Sequence, residues 1–418
     1  MDALVHWLDR LERLHPRPID LGLERVEAVR ARLGLALTMP LFVVAGTNGK
    51  GSVCALLDAM LRSAGYRVGL YTSPHLLRYN ERVRIDGAEA SDAALVAAFE
   101  RIDRARGDIS LTYFEFGTLA AALLFAEARL DAAVLEVGLG GRLDAVNVFD
   151  ADCALLTSID LDHTQYLGST REAIGYEKSG IFRPDRPAVC ADPDPPASVV
   201  AQAQDRGARL LRIGQDFGYV EGLMQWRYWG PGGRRAGLPW PALRGSHQLA
   251  NAAAAMTALD QLHERLPVHM QSIRAGLAGV AVPARFQVLP GRPAVILDVA
   301  HNAHAAHALA RTLRSHGRHA RTFAVFAMLA DKDIGAVIDA VKGEIDSWHV
   351  ATLGGSRGTG ADALGALLAA HDPGKPARAF DSPLAACRAA CGCAGVDDRI
   401  VVFGSFYTVS EVMSSPKS

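Results

Sequence analysis

Short runs of consecutive apolar residues alternate with stretches of helical periodicity along most of the chain. The runs predict strands at Leu41–Ala45, Val68–Tyr71, Ala132–Val137, Ala154–Ile159 and Pro187–Ala191. Apolar runs without alternation are typical of parallel strands that are covered on both faces. Between the first two strands, the apolar positions 53, 56, 57, 60 and 61 share one helical face. The pattern therefore predicts an α/β domain with a mostly parallel sheet.

This rhythm breaks between about 211 and 245. There the segment WRYWGPGGRR predicts an antiparallel hairpin or a small antiparallel addition to the first domain. A second set of strands is predicted at Ala294–Val299, Thr322–Ala327, Trp348–Leu353 and Arg399–Phe403. Three prolines and a glycine, namely Pro283, Pro290, Pro293 and Gly291, fall between 283 and 293. We therefore predict two domains, 1–285 and 286–418, of which the second is a smaller Rossmann-like α/β domain.

The overall composition narrows the possible functions. The 418 residues include 44 basic and 45 acidic ones, and this near-balance predicts neither nucleic acid nor a membrane as partner. The first residues, MDALVHWLDRLERL, predict an amphipathic helix and lack the features of a signal peptide. No apolar run approaches the roughly 20 residues that span a bilayer. Six cysteines in a chain of this length do not suggest a disulfide scaffold. We expect a cytoplasmic enzyme.

A glycine-rich loop, GTNGKGS, joins the first predicted strand to the first predicted helix of the sheet. Gly46, Gly49 and Gly51 allow a tight turn and a close approach of the backbone to a ligand. Lys50 adds a positive charge, and the Ser52 hydroxyl can bind a magnesium ion between phosphates. The loop departs from the strict P-loop pattern, because a valine stands at the first glycine position and a glycine separates the lysine from the serine. The alternative is a turn that only joins strand to helix; we favour an ATP-binding loop.

Three further side chains follow strands or lie near them. Glu136 lies inside an otherwise apolar strand, just before a glycine turn, where a carboxylate is costly unless a cation meets it, so a magnesium ligand or a catalytic base is predicted. A structural ion pair is the alternative. His163 follows the next strand along the chain. The main argument for a ligand role is that it, like Lys50 and Glu136, lies at or after a strand of the same predicted sheet. For Lys178, the residue pattern alone favours a solvated surface lysine. The sequence GLGGRLD lacks the third glycine of a dinucleotide site, which argues against NAD.

Two clusters of possible metal ligands have unfavourable spacing: the cysteines Cys387, Cys391 and Cys393, and the histidines His301, His304 and His307. For the cysteines, small core residues near a helix end are the better interpretation, because no second ligand cluster lies nearby. The histidines recur every third residue and drift around a helix, and an HExxH pattern is absent. We predict no independent zinc site in either cluster.

At this point the motifs match a known family. The matching blocks are GTNGKGS, TSPHLLRYNERVRI, LTYFEFGTLAAALLF, LEVGLGGRLDAVN, LDHTQYLG, EKSGIF, HQLANAAAA, ARFQ, ILDVAHNAHA, MLADKD and VFGSFYTVSEVM. In these blocks the sequence closely resembles the bacterial folylpolyglutamate synthase/dihydrofolate synthase family of the Mur-ligase superfamily. The blocks run in family order from about residue 20 to 413. The glycine loop alone is not specific, whereas LEVGLGGRLDA together with EKSGIF is.

The resemblance implies roles for residues in both domains. It implies that a first group binds ATP: Thr47, Asn48, Gly49, Lys50, Gly51, Ser52, Asn251, Arg285 and Asp298. A second group would bind magnesium: Ser52, Ser73, Glu136, His163 and Lys178, the last as a carbamylated lysine. Lys50, Lys178 and His301 would take part in catalysis, and closure of the two domains would complete the site. A third group would contact the pterin substrate: Asp20, Leu21, Gly22, Thr112, Tyr113, Phe114, Glu115, Leu143, Asp144 and Ala145.

The resemblance also implies the reaction. ATP would phosphorylate the carboxylate of dihydropteroate or of a folate, and the amine of L-glutamate would attack the acyl phosphate to form an amide. We favour the bifunctional enzyme, which makes dihydrofolate and extends tetrahydrofolate polyglutamates with two Mg²⁺ ions. The alternatives are an extension-only enzyme, a Mur-type ligase for another acid, and a non-catalytic ATP-binding module. A monomer is expected, whereas tail length, the preferred folate and a dependence on potassium (K+) stay open.

Overall fold

The computed structural model describes residues 3–414, which form two compact units. One unit contains the chain up to Ala242 together with Gln248–Ala281, and the other contains Leu243–His247 and the chain from Val282 onward. The domain boundary between residues 285 and 286 stays a prediction.

The strands of the first unit form two sheets. They are β1 (Leu41–Ala45), β2 (Val68–Tyr71), β3 (Val83–Ile85), β4 (Ala88–Glu89), β5 (Ala132–Glu136), β6 (Cys153–Leu156), β7 (Pro187–Cys190), β8 (Arg209–Arg212), β9 (Gly218–Val220), β10 (Gln225–Gly230) and β11 (Gly233–Pro239). The eight-stranded sheet has the order β4-β3-β2-β5-β1-β6-β7-β8 and is parallel from β2 to β8. Strands β3 and β4 are antiparallel additions at one edge, and β9 to β11 form a separate antiparallel sheet.

The helices of the first unit are α1 (Ala3–Leu14), α2 (Glu24–Arg32), α3 (Lys50–Ser63), α4 (Asp92–Arg106), α5 (Tyr113–Glu127), α6 (Thr164–Leu167), α7 (Arg171–Ser179), α8 (Ala197–Arg206), α9 (His247–Gln261) and α10 (Met270–Gly279). The strands β1 and β5 are buried along their whole length, as the apolar runs predict. Helix α5 begins with a capping box in which Thr112 and Glu115 exchange side-chain to backbone hydrogen bonds. Between residues 3 and 414, no helix is both long and apolar enough to cross a membrane.

The second unit is a six-stranded sheet with helices. Its strands are β12 (Gln287–Leu289), β13 (Ala294–Leu297), β14 (Thr322–Phe326), β15 (Ser347–Ala351), β16 (Ala377–Phe380) and β17 (Arg399–Phe403), and its helices are α11 (Ala303–Ser315), α12 (Ile334–Val341), α13 (Ala361–His371), α14 (Pro383–Cys393) and α15 (Phe406–Met413). The strand order is β12-β13-β17-β14-β15-β16, with only β12 antiparallel to its neighbour. Phe326, Trp348 and Phe403 pack in its core.

The predicted fold class is confirmed, including the small antiparallel sheet in the region 211–245. Several strands end earlier than the apolar runs predicted. Val137, Ile159 and Ala191 lie beyond the ends of β5, β6 and β7, yet they are buried. The N–H groups of Val137 and Ala191 still donate to Val44 O at 2.9 Å and to Leu156 O at 2.8 Å, but the strands end one residue earlier. An apolar run reports burial, which continues past the last residue of the strand, so the predictions at these ends were wrong. The edge strands β3 and β4 were not predicted.

Candidate active site

The glycine loop between β1 and α3 has a backbone that requires glycine at its first position. Gly46 has a φ of 148°, and a Cβ atom there would lie 1.7 Å from Thr157 Oγ1. Gly49, immediately before α3, has a φ of 89°. The N–H of Thr47 donates to Ser158 O at 2.6 Å, which fixes the loop against the segment after β6. A fixed turn that opens a helix presents backbone N–H groups to an anion.

Lys50 folds back across this loop. Its Nζ donates to Gly46 O at 3.1 Å and to Thr47 O at 3.3 Å. The N–H of Asn48 donates to Ser158 Oγ at 3.2 Å. A lysine held over a rigid glycine turn provides the positive charge that a polyphosphate requires.

The first turn of α3 and the start of α9 complete the surroundings of the loop. Gly51 and Ser52 lie in the first turn of α3, and Ser52 is buried. Asn251 of α9 lies against the loop, because a Cβ atom on Gly49 would be 2.8 Å from Asn251 Oδ1. Its Nδ2 donates to Gln248 Oε1 at 2.9 Å, so the amide is held in one orientation. The structure thus brings Asn251 to the glycine loop across about 200 residues of sequence.

Ser73, Glu136 and His163 lie at the carboxyl ends of β2, β5 and β6. These strands and β1 are consecutive in the sheet, so all three side chains follow the same edge as the glycine loop. Ser73 N–H donates to Glu136 Oε2 at 3.1 Å, and Glu136 is only 4% exposed. His163 has a φ of 52°, and its Nε2 lies 3.9 Å from Asp162 Oδ1. Hydroxyl, carboxylate and imidazole groups are ligands for Mg²⁺ or Mn²⁺.

Lys178 is buried, so the surface-lysine interpretation of the sequence pattern was wrong. Its side chain is in the last turn of α7, and the residue is 5% exposed. Its Nζ donates to Gly46 O at 2.9 Å, the same carbonyl that accepts a hydrogen bond from Lys50. Burial, and next the charge of Lys50, lower the pKa of Lys178 to about 7. A large fraction of this amine is therefore uncharged at neutral pH.

The two segments that are specific to the family pack directly against each other. A Cβ atom on Gly141 would lie 2.7 Å from Lys178 O, and one on Gly180 would lie 2.3 Å from Arg142 Cβ. The N–H of Arg142 donates to Glu177 O at 2.7 Å, and the two side chains form an ion pair at 2.8 Å. This interlock between GLGGR and EKSG fixes the position of Lys178.

Asp144 stabilises the glycine turn after β5. Its carboxylate accepts the N–H groups of Leu139 at 2.8 Å and of Val146 at 3.0 Å. Burial raises the pKa of Asp144 to about 6, although these backbone hydrogen bonds oppose the shift. Ala145 is also buried, whereas Leu143 is partly exposed. Among these three predicted substrate residues, Leu143 is the one with accessible surface.

An arginine that the sequence interpretation missed connects two of the predicted substrate segments. Arg25 Nη1 donates to Asp20 Oδ2 at 2.7 Å, and its Nη2 donates to Glu115 Oε1 at 3.0 Å. Glu115 is 3% exposed and caps α5 together with Thr112. The order of charges along the chain gives no signal for this bridge, since 90 residues separate Arg25 from Glu115.

The aromatic residues of the TYFE run line the same region. The Phe114 ring packs on the turn after β5, where a Cβ atom on Gly138 would lie 2.6 Å from it, and it is 5.9 Å from the Tyr71 ring. The Tyr113 ring lies 5.7 Å from the Tyr79 ring. The remaining predicted residues, Leu21 and Gly22, lie between Asp20 and α2, and Leu21 is partly exposed.

The loop between β2 and β3 is held by its own side chains. Glu81 accepts the N–H groups of Leu76, Leu77 and Arg78 at 2.7 to 2.8 Å. Arg82 Nε donates to His75 Nδ1 at 2.8 Å. Burial and the neighbouring Arg82 lower the pKa of His75 to about 4, so the ring is neutral.

Three predicted residues lie in the second unit. Arg285 stacks on Phe406, with its guanidinium carbon 5.2 Å from the ring centre. Asp298 follows β13 and accepts the N–H groups of Phe286 and Ala300, each at 2.8 Å, and burial raises its pKa. His301 Nδ1 donates to Val299 O at 2.8 Å. These three residues form one neighbourhood at the carboxyl end of β13.

The clusters with unfavourable spacing do not form three-ligand sites. Within residues 3–414, no three His, Cys, Asp or Glu side chains are grouped as a metal site would require. Cys387 is buried on α14, but Cys391 and Cys393 are exposed, so the prediction of core residues was wrong for the last two. The helix ends at Cys393.

Comparison with known proteins identifies the family. The model of the Mur ligase middle domain matches residues 44–259, and that of the Mur ligase glutamate ligase domain matches residues 284–406. The dihydrofolate synthase/folylpolyglutamate synthase of Escherichia coli (strain K12) is 46% identical over 411 residues, which cover 98% of this chain and 94% of that protein. The chain belongs to the dihydrofolate synthase/folylpolyglutamate synthase family. It is thus a member of the ATP-dependent Mur ligases.

Solved structures of this family agree with the architecture. The structure of E. coli FolC in complex with DHPP and ADP has a TM-score of 0.94 and 47% sequence identity, covering 98% of this chain and 96% of that one. A bifunctional folylpolyglutamate synthase/dihydrofolate synthase with Mn, AMPPNP and L-glutamate bound has a TM-score of 0.91 and 46% identity, covering 98% and 97%. The resemblance stated from the motifs is confirmed.

Proposed function

We propose that this member of the dihydrofolate synthase/folylpolyglutamate synthase family is bifunctional. It would add L-glutamate to dihydropteroate and also extend the glutamate tail of tetrahydrofolate, in each case at the expense of ATP. The observation that carries the proposal is the edge of the large sheet, where a glycine loop, a buried carboxylate and a buried lysine amine meet. The relatives with DHPP, ADP, AMPPNP and L-glutamate support it.

The nucleotide would bind at the glycine loop. Thr47, Asn48 and Gly49 of the loop would bind its phosphates, with Lys50 as counter-charge and Gly51 in the first helical turn. Asn251 would contact the adenine. Arg285 and Asp298 would also contact the nucleotide.

Two divalent metal ions, Mg²⁺ or Mn²⁺, fit the donor set at the sheet edge. Ser52, Ser73, Glu136 and His163 would hold them, and the support is the Glu136 carboxylate, which is buried at the carboxyl end of β5 and accepts the N–H of Ser73. A buried carboxylate is stable only if a cation or hydrogen bonds compensate its charge. A bound metal ion would neutralise the negative charges of the phosphate and carboxylate groups, which otherwise repel each other.

Lys178 would act as a carbamate. Its neutral amine can attack CO₂, forming an N–C bond and releasing one proton, which converts a cation into an anion. The adjacent Lys50 would then meet an anion in place of a like charge. An oxygen atom of the carbamate would serve as a further metal ligand, a role that a protonated lysine does not fill.

The chain's own residues would perform the remaining steps. Lys50 would stabilise charge that develops on the transferred γ-phosphoryl group as the acceptor carboxylate becomes an acyl phosphate. The amine of L-glutamate would then attack this acyl group, and the collapse of the tetrahedral intermediate would release phosphate. The Nδ1 of His301 contacts Val299 O, and its Nε2 would receive the amine proton.

The acceptor would lie on the surface formed by the TYFE run and the segments around it. Asp20, Leu21 and Gly22 would contact the pterin ring together with Thr112–Glu115 and Leu143–Ala145. The Phe114 ring, packed on the glycine turn, would provide a stacking face. We also propose that the protein is a monomer in the cytoplasm. All six cysteines carry free thiols, as is usual in a reducing compartment.

The test is phosphate release with MgATP and L-glutamate, comparing dihydropteroate with tetrahydrofolate as acceptor. Turnover of both acceptors is the expected result. Turnover of tetrahydrofolate alone would make the chain an extension-only enzyme. Nucleotide binding without turnover of either acceptor would favour another acid substrate or a non-catalytic module.

A further inference from the structure

Arg82 is a cation in an unusual setting on the acceptor side of the site. Its guanidinium carbon lies 5.3 Å from the centre of the Tyr79 ring and 5.3 Å from that of the Tyr113 ring. Its Nε donates to His75 Nδ1 at 2.8 Å. Two aromatic contacts and one hydrogen bond hold the guanidinium in a fixed position.

Arg82 has no carboxylate partner in the part of the chain that the structure describes. By contrast, Arg78 pairs with Asp92 at 3.2 Å, and Arg84 pairs with Glu89 at 3.8 Å. The acidic residue beside it in sequence, Glu81, already accepts three backbone N–H groups. The guanidinium can therefore donate its remaining N–H groups to a ligand.

Its position lies between two groups of proposed ligand contacts. Tyr113, which it touches, belongs to the run proposed to hold the pterin ring. On the other side, Arg82 O accepts the N–H of Thr72 at 2.9 Å, and the next residue, Ser73, donates to the Glu136 carboxylate. A carboxylate bound by the Arg82 guanidinium would lie beside the Tyr113 ring, on a residue whose backbone pairs with the segment that leads to Ser73 and Glu136.

A folate carries such a carboxylate. Its tail grows through the γ-carboxyl group, so each glutamyl residue keeps an α-carboxylate that does not react and that lies between the ring system and the reacting end. Dihydropteroate lacks this group, since its single carboxylate is the one that reacts.

We propose that Arg82 binds the non-reacting α-carboxylate of the folate glutamyl tail and thereby distinguishes folate from dihydropteroate. This inference rests on the proposed function. A guanidinium can meet a carboxylate with two parallel hydrogen bonds, which is stronger and more directional than a contact from lysine. His75 is a positioning residue, because its Nδ1 orients the guanidinium.

The test uses the full-length enzyme with Arg82→Gln and Arg82→Lys, and phosphate release with each acceptor. For Arg82→Gln we expect the KM for tetrahydrofolate to rise about 10- to 100-fold, the range of a lost charge-assisted hydrogen bond. The KM and kcat for dihydropteroate should change less than about threefold. Arg82→Lys should recover part of the loss, and His75→Leu should show a smaller KM effect with tetrahydrofolate alone.

Arg78→Gln is the matched control, because it removes an exposed arginine of the same loop that already has a carboxylate partner. Equal losses with both acceptors in Arg82→Gln, or no loss with tetrahydrofolate, would overturn the inference. If the variant folds poorly, the dissociation constants of dihydropteroate and dihydrofolate can be measured on the folded fraction. These two ligands differ by one glutamyl residue, so the ratio of their dissociation constants still reports whether Arg82 distinguishes them. A wild-type enzyme that turns over neither acceptor would instead refute the proposed function.

Discussion

Replacing Lys178 by methionine should remove activity and yet stabilise the fold. The pKa of Lys178 is about 7 in the folded chain, against 10.5 for an ordinary lysine. The unfolded chain therefore holds an additional proton between pH 7 and 10.5, and the stability of the wild type falls as the pH falls through that range. At pH 7.5 this costs about 4 kcal/mol, because each pKa unit corresponds to about 1.36 kcal/mol.

Methionine has a similar length and no charge to desolvate. It loses the hydrogen bond to Gly46 O, which contributes about 1 kcal/mol. The net expectation for Lys178→Met is about 3 kcal/mol of added stability at pH 7.5, or a Tm about 5 to 10 °C higher for a unit of this size. The carbonyl of Gly46 still accepts Lys50, so no new unpaired group arises.

The assay is thermal unfolding from pH 7 to 9 in CO₂-free buffer, together with phosphate release. The wild type should gain Tm with rising pH, whereas Lys178→Met should not, and bicarbonate should stabilise only the wild type. A ¹³C signal from labelled bicarbonate should appear on the wild type alone. A variant that is less stable than the wild type at every pH would refute the assignment of a lowered pKa, and a variant that keeps full activity would refute the carbamate.

Further changes test the loop, the metal ligands and the core. Gly46→Ala should lower turnover at least about 100-fold, because its Cβ atom would overlap Thr157, whereas Gly365→Ala on α13, where a Cβ atom meets nothing within 4 Å, should keep full activity. Glu136→Gln should raise the Mg²⁺ concentration for half-maximal activity at least about tenfold, which titration of the metal would show, and an unchanged requirement would contradict its role. His349→Phe should stabilise the chain by about 1 to 2 kcal/mol, because neither buried ring nitrogen has a hydrogen-bond partner within residues 3–414. Burial lowers the pKa of His349, so the wild type should lose further stability as the pH falls below 6.5; a destabilised His349→Phe would contradict this reasoning.

The large sheet could be predicted from sequence because parallel strands are buried on both faces and leave continuous apolar runs. Leu41–Ala45, Val68–Tyr71 and Arg399–Phe403 match the observed strands at both ends. The edge strands β3 and β4 are short and partly exposed, so they leave no such run. Their position depends on pairing with β2, which is a contact between segments.

The candidate site was predictable only in part for the same reason. Gly46 and Glu136 stand out locally, since glycines cluster in one loop and a carboxylate interrupts an apolar run. Lys178 carries no local sign of its burial, which results from packing against the glycine loop and the turn after β5. Arg25 and Arg82 are likewise ordinary arginines in the sequence, and their partners are brought to them by the fold.

The interlock between GLGGR and EKSG limits how these two segments can change. Because Gly141 and Gly180 each touch the opposite backbone or its first side-chain carbon, neither can gain a methyl group unless the other segment moves. A chimera that receives one segment from a distant relative should misplace Lys178, whereas a chimera that receives both should keep it. In evolution the two segments would therefore be inherited as one unit, although more than 30 residues separate them in the chain.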